Sequence, residues 1–179
     1  MKKLILIVFL LLLVFVSCTE NFEPLSSEEQ SSTLLFTSFE SGGTPYLDDW
    51  ISPGPPIVKF ANDAPPQGGN YSIFLKAREI GARVHTAVPA LVGTHKYRLT
   101  FWAKSTEDPG YLHIYLKQGG NEVNTKSKSI RTKDWTAFTI ETEYTASVGD
   151  SIEVMLIGSL YTVPQGFNYF DLIKLEYLD

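Results

Sequence analysis

Between Tyr97 and Lys117 apolar residues recur at every second position in two separate runs, and a period of two leaves little besides β-structure. In the first run Tyr97, Leu99, Phe101 and Ala103 alternate with Arg98, Thr100, Trp102 and Lys104. In the second, Leu112, Ile114 and Leu116 alternate with Tyr111, His113, Tyr115 and Lys117. Successive side chains of a strand point to opposite faces, so each run reads as a strand with one face in a core. The same reading marks residues 34–40, 57–61, 71–77, 82–88, 96–104, 110–117, 135–144, 151–158 and 169–178 as strands, with a weaker run at 123–130. Turn chemistry separates them, as in Gly42-Gly43, the Pro53–Pro56 and Pro65–Asn70 stretches, Gly119-Gly120-Asn121 and Gly149-Asp150. No convincing amphipathic helix, internal repeat or second domain shows. Short strands with such punctuation predict an all-β fold, an antiparallel β-sandwich or barrel, over residues 34–179.

The chain starts differently. Met1-Lys2-Lys3 precedes an unbroken apolar run from Leu4 to Val16, the make-up of a secretion signal. A membrane-spanning helix needs about 20 apolar residues, so the run is short for one. Phe15-Val16-Ser17-Cys18 resembles the lipobox of bacterial lipoproteins. That resemblance implies a signal peptide at 1–17, removed on export, and Cys18 as the thiolate that takes the lipid (diacylglycerol, then an N-acyl chain such as palmitate). Thr19 in place of Asp at the next position points, by the same resemblance, to the outer membrane. Cys18 is the one cysteine, so no internal disulfide can form. Residues 18–33 are acidic and Ser-rich with almost nothing to bury, and read as a disordered tether. Losing Lys2 and Lys3 with the signal takes the formal charge from −5 to −7. Such a balance argues against nucleic acid or an anionic membrane as a partner held by bulk charge.

Within the strand-rich part several motifs follow one another in order: Ser38-Phe39-Glu40, Gly69-Asn70-Tyr71-Ser72, Gly81 to Thr86, Tyr97-Arg98-Leu99-Thr100-Phe101-Trp102-Ala103-Lys104, Trp135 to Phe138, Gly149 to Ile152, and Phe170-Asp171-Leu172-Ile173-Lys174-Leu175-Glu176. Together they resemble the galactose-binding-like jelly rolls, and among these the carbohydrate-binding modules of families four, nine and twenty-two. The resemblance implies a sandwich with a sugar site on the concave face of one sheet or on loops at one edge. It also implies a structural calcium near the junction of the first and last strands, with Glu40 and Asp171 as ligands and a carbonyl from the 67–70 turn.

Alternation can be read for the ligand face without the family. If the runs at 82–88, 96–104 and 110–117 share a sheet, its non-core side gathers Arg83, His85, Arg98, Trp102, His113 and Tyr115. Aromatic rings stack on the apolar side of a sugar, while Arg, His and Tyr hydrogen-bond hydroxyls or grip an anionic group. The plainer alternative is that outward aromatics pack across strands, with Trp102 covered by a loop such as 161–168. A second location is the loop edge, where Tyr46, Asp48, Asp49, Trp50, Tyr161 and Tyr169 could gather.

Catalytic machinery is hard to find. His85 and His113 can share a face, His95 falls in a Gly93-Thr94-His95 turn, and no His-x-x-x-His spacing or cysteine completes a zinc site. Glu141, Glu143 and Glu153 qualify as acids by residue type, yet their alternation reads as solvated strand faces. The expectation is therefore a non-catalytic carbohydrate-binding module on an envelope-anchored lipoprotein. The alternative is a structural or adhesion lipoprotein that binds a protein partner in an envelope complex, and a polysaccharide lyase or hydrolase stands third.

Overall fold

A computed structural model describes residues 32–47, 49–52, 58–76, 82–159 and 166–178. The signal segment, Cys18 and the tether up to Ser31 lie outside the described residues, as do the 53–57 proline turn, Asp48, Gly81 and Tyr161. The described chain is strand and turn throughout, as the period of two predicts. In order, the strands are β1 (Ser32–Thr37), β2 (Glu40–Ser41), β3 (Thr44–Pro45), β4 (Val58–Ala61), β5 (Ser72–Lys76) and β6 (Arg83–Pro89). They continue with β7 (Gly93–Ser105), β8 (Gly110–Gln118), β9 (Asn121–Ile130), β10 (Thr136–Ala146), β11 (Ser151–Ile157) and β12 (Phe167–Leu178).

Two antiparallel sheets stack as a β-sandwich. The larger runs β10-β7-β12-β5-β4, with β1 also paired to β12, and the smaller runs β6-β11-β8-β9. Leu99, Phe101, Ile73, Phe170 and Leu175 from the larger sheet meet Val84, Leu112, Ile114, Leu116, Val154 and Leu156 from the smaller in one buried cluster. Each is an apolar position of an alternating run, and burying such a side chain contributes roughly 1.5–3 kcal/mol. Two buried polar contacts tie the layers together. Tyr144 donates its hydroxyl to the Ile114 carbonyl at 3.0 Å, and burial pushes that phenol up to about 12. The Asn168 amide of β12 donates to the Gly158 carbonyl.

Three local expectations need correction. The 34–40 run is not one strand, because Phe39 adopts φ 53° and turns the chain into the β2–β3 hairpin. Gly42 and Gly43, at φ 58° and 76°, form that hairpin's two-residue turn, a geometry in which side chains with a Cβ are strained. His95 is not in a turn but inside β7, opposite Tyr144. The first strand also begins at Ser32, so the predicted tether overlaps it by two residues.

The last strand changes partner half-way. Phe170 of β12 pairs with Ile73 of β5, whereas Ile173 pairs with Thr37 of β1. Between them the ladder to β7 slips at Asp171, and Leu172 takes φ 47°. A bulge of this kind re-aims a side chain, and here it places Asp171 at the junction of the first and last strands.

Candidate functional site

The outer face of the smaller sheet is assembled from the out-facing positions of all four strands. Register sets the rows. Arg83, Ile157, Tyr111 and Ser129 lie in line across the sheet, followed by His85, Met155, His113 and Ser127. The next row pairs Ala87 with Glu153 and Tyr115, and the one after it pairs Ser151 with Lys117 and Glu122. The structure thus brings together Arg83, His85, His113 and Tyr115, four of the six residues expected to share a face.

Arg98 and Trp102 do not join them. β7 belongs to the larger sheet, so both side chains face the opposite side of the sandwich. The chain crosses between layers at 90–92 and again at 106–109, so neighbouring strands in sequence sit in different sheets. Alternation says which side of a strand faces the core; it does not say which sheet the strand joins. Arg98 is engaged there by Glu141, Nε to Oε1 2.8 Å.

The centre of the smaller sheet's face is Glu153. Its neighbours Met155 and Ile157 point the same way and pack with Tyr115 and Tyr111 in a small apolar cluster separate from the core. The Glu153 side chain is only 5% accessible. Lys117 Nζ donates to Oε2 at 3.3 Å, His85 Nε2 stands 3.9 Å from Oε1, and Tyr115 is the cross-strand neighbour of Glu153. Burial, then the adjacent Glu153 carboxylate and the charge of Glu122, push the Tyr115 phenol far up, so it stays a neutral donor. Burial lowers His113 below the ordinary histidine value against the pull of Glu122. His85 Nδ1 is buried with no hydrogen-bond partner among the described residues. Glu141 and Glu143 are exposed, as expected of solvated strand faces; Glu153 is not. The signal was present in Ile152–Ile157, where out-facing Met155 and Ile157 are apolar too and mark a central strand covered on both sides.

The loop-edge grouping divides. Tyr46, Asp49 and Trp50 border a pocket of about 260 Å³ with Phe36 and Glu40, and the Trp50 ring also packs into the core against Phe39, centroids 5.4 Å apart. Tyr169 lies on the larger sheet's outer face beside Lys104, not in this pocket. Asp48 and Tyr161 lie outside the described residues.

Glu40 and Asp171 do come together. Glu40 Oε2 accepts from the backbone N–H groups of Asn70 and Tyr71 at 2.9 and 3.1 Å. Asp171 is fully buried; Oδ1 accepts from Leu172 N–H at 2.7 Å, while Oδ2 has no hydrogen-bond partner among the described residues. Burial raises its carboxyl to about 8 against the Leu172 bond, and the charge of Glu40 raises it further. A Cβ on Gly68 would stand 2.5 Å from Asp171 Oδ2, so the glycine turn lies directly over the pair. Among the described residues no group of three or more His, Cys, Asp or Glu converges as a metal cluster.

No protein-family model matches the chain, and no curated protein matches it in sequence. Solved structures do match. A family 16 carbohydrate-binding module superposes with a TM-score of 0.56 at 22% identity, covering 72% of this chain and 90% of that one. The CBM22-1 xylan-binding domain of Paenibacillus barcinonensis Xyn10C gives 0.56 at 18% identity, covering 83% and 96%. This chain has the fold of the carbohydrate-binding modules. The CBM22-1–CBM22-2 tandem of the same Xyn10C gives a TM-score of 0.58 at 17% identity, covering 86% of this chain and 47% of the tandem. At these identities the likeness defines the carbohydrate-binding-module sandwich, and the ligand has to be argued from this chain's own residues.

Proposed function

We propose that the outer face of the smaller sheet binds a polysaccharide without cleaving it, in a protein held at the cell envelope by lipid on Cys18. The observation that supports this best is the buried Glu153 carboxylate on an outward sheet face. Desolvating a carboxylate costs several kcal/mol, and an apolar residue at this central position would be cheaper. Glu153 accepts hydrogen bonds from sugar hydroxyls, His85, His113 and Arg83 donate to sugar oxygens, and the partly accessible Tyr111 ring offers apolar surface to a sugar face, with the buried Tyr115 beneath. The non-catalytic reading rests on the carbohydrate-binding-module fold. Electrophoresis of the full chain through gels cast with soluble polysaccharides tests it. At least one polysaccharide retards the chain, and retardation by none sinks the proposal.

Anchoring is carried by the Phe15-Val16-Ser17-Cys18 motif. Each buried methylene of an acyl chain contributes about 0.8 kcal/mol, and several chains on one cysteine hold a protein to the bilayer durably. Cys18→Ser therefore moves the protein from the membrane fraction to the soluble fraction and stops labelling by palmitate; a variant that stays with the membrane contradicts the assignment.

A structural calcium fits the Glu40–Asp171 pair. An orphaned buried carboxylate oxygen, a second carboxylate and a turn rich in backbone carbonyls offer the hard oxygen donors that calcium takes. Asp171 and Glu40 would hold it, with a carbonyl from the 67–70 turn. Held there, calcium would neutralise both carboxylates, and Glu40 of β2 and Asp171 of β12 would be tied to that turn. At a hundredfold excess over its Kd an ion contributes about 2.7 kcal/mol, a Tm rise of roughly 5–10 °C that EDTA reverses. An identical Tm in calcium and in EDTA overturns the site.

A further inference from the structure

The outer face of the larger sheet carries an organised feature that glycan binding by Glu153 does not use. Among the rings on that face four join one another outside the core cluster: Trp135 just before β10, Tyr169 and Phe167 on β12, and Phe74 on β5. Their centroids form a connected strip, with Phe74 5.3 Å from Phe167 and 5.6 Å from Tyr169, and Trp135 6.3 Å from Tyr169. All four are partly accessible.

The strip is locked in place from one end. Trp135 Nε1 donates to Asp63 Oδ1 at 2.9 Å, and Lys104 Nζ binds Asp63 Oδ2 at 2.6 Å. The same ammonium lies 5.1 Å from the Trp135 ring centre and 5.0 Å from that of Tyr169. Burial works to raise Asp63, and the hydrogen bonds of Lys104 and Trp135 outweigh it and hold the carboxyl below its ordinary value. An indole fixed in this way loses little freedom when something stacks on it.

Charge lies along the other end. Lys59 is the cross-strand partner of Phe74, and Lys76 that of Phe167. Tyr169 pairs with both Lys104 and Phe74, so one row runs Lys104, Tyr169, Phe74 and Lys59 over four adjacent strands. At about 4.8 Å per strand that is roughly 14 Å, with Trp135 beyond its Lys104 end. In a chain of net charge −5, two lysines beside an aromatic strip are a local exception to the prevailing sign.

We propose that this strip is a second glycan surface, for a polyanionic polysaccharide whose sugar rings stack on Trp135, Tyr169 and Phe74 while its carboxylates or sulfates meet Lys59 and Lys76. Rings supply sequence-tolerant stacking and lysines supply salt-sensitive attraction, so the two together select an acidic polymer over a neutral one. The proposal does not rest on the Glu153 face, which lies on the other side of the sandwich.

Affinity electrophoresis of the full chain tests it, with polygalacturonate and dextran sulfate as polyanionic probes and dextran as the neutral one. Polygalacturonate or dextran sulfate retards the protein, dextran does not, and 0.5 M salt in the gel abolishes the effect. The K59E/K76E variant loses at least tenfold in affinity while melting at the wild-type temperature. Trp135→Phe also weakens binding and removes the ligand-induced quenching of tryptophan emission. K126E/K128E, on the exposed strand β9, leaves polyanion binding unchanged. Absence of polyanion binding overturns the proposal. So does equal loss in K126E/K128E, which makes the attraction bulk charge, or wild-type affinity in either K59E/K76E or Trp135→Phe.

Discussion

Glu153→Gln leaves the protein folded and removes nine-tenths or more of its affinity for the polysaccharide that retards it. Gln keeps the shape and one carbonyl acceptor but loses the charge, and hydrogen bonds to a charged group contribute about 1.5–3 kcal/mol, a factor of roughly 10 to 100 in Kd. Stability moves the other way or not at all. The desolvation of a carboxylate that is 5% accessible is relieved, while Lys117, at 40% side-chain accessibility, keeps its water. This combination separates a ligand-binding role from a structural one. If Glu153 served mainly to hold Lys117, His85 and Tyr115 together, Gln would lower Tm by several degrees and shift binding only in proportion. Calorimetry of folding and of binding on the same variant distinguishes the two.

Gly69→Ala has the largest expected effect on stability outside the core. Gly69 has φ +78°, where a Cβ is strained whatever the space, and that Cβ would stand within 3 Å of three Glu40 carboxylate atoms. Glu40 cannot simply swing away, because Oε2 holds the N–H groups of Asn70 and Tyr71. Backbone strain of about 1–2 kcal/mol adds to the loss of those bonds, for a total of roughly 2–4 kcal/mol and a Tm lower by about 5–15 °C. The calcium-dependent rise in Tm disappears as well, since the same turn faces Asp171. A variant that melts within 2 °C of wild type, with its calcium response intact, removes the turn from the account.

Which parts of this were legible in the sequence follows from what alternation encodes. Leu99-x-Phe101-x-Ala103 and Leu112-x-Ile114-x-Leu116 identify core faces because burial acts on each strand by itself. The Glu40–Asp171 meeting was legible only through resemblance to the jelly rolls, since 131 residues separate them and no local pattern joins them. Sheet membership was not legible. Trp102 and Tyr115 sit on equivalent sides of similar runs, yet the crossing at 106–109 puts them on opposite sides of the molecule. Glu153 was read as solvated because one acidic residue between Ile152 and Val154 looks like any polar out-facing position. Its burial comes from Tyr115, Lys117 and His85 on two flanking strands, and those contacts exist only once register is set. The aromatic strip was missed for a similar reason: Phe74, Trp135 and Tyr169 belong to three segments far apart in the chain.

The chain's three histidines allow the most direct test of the central claim. His85 and His113 stand on the outer face of the smaller sheet, with Met155 between them, whereas His95 belongs to the larger sheet beside Tyr177. Imidazole proton resonances followed by NMR during titration with the bound polysaccharide report on each one separately. The account predicts that His85 and His113 shift with saturation while His95 stays fixed. Saturable binding that leaves both His85 and His113 unmoved contradicts it.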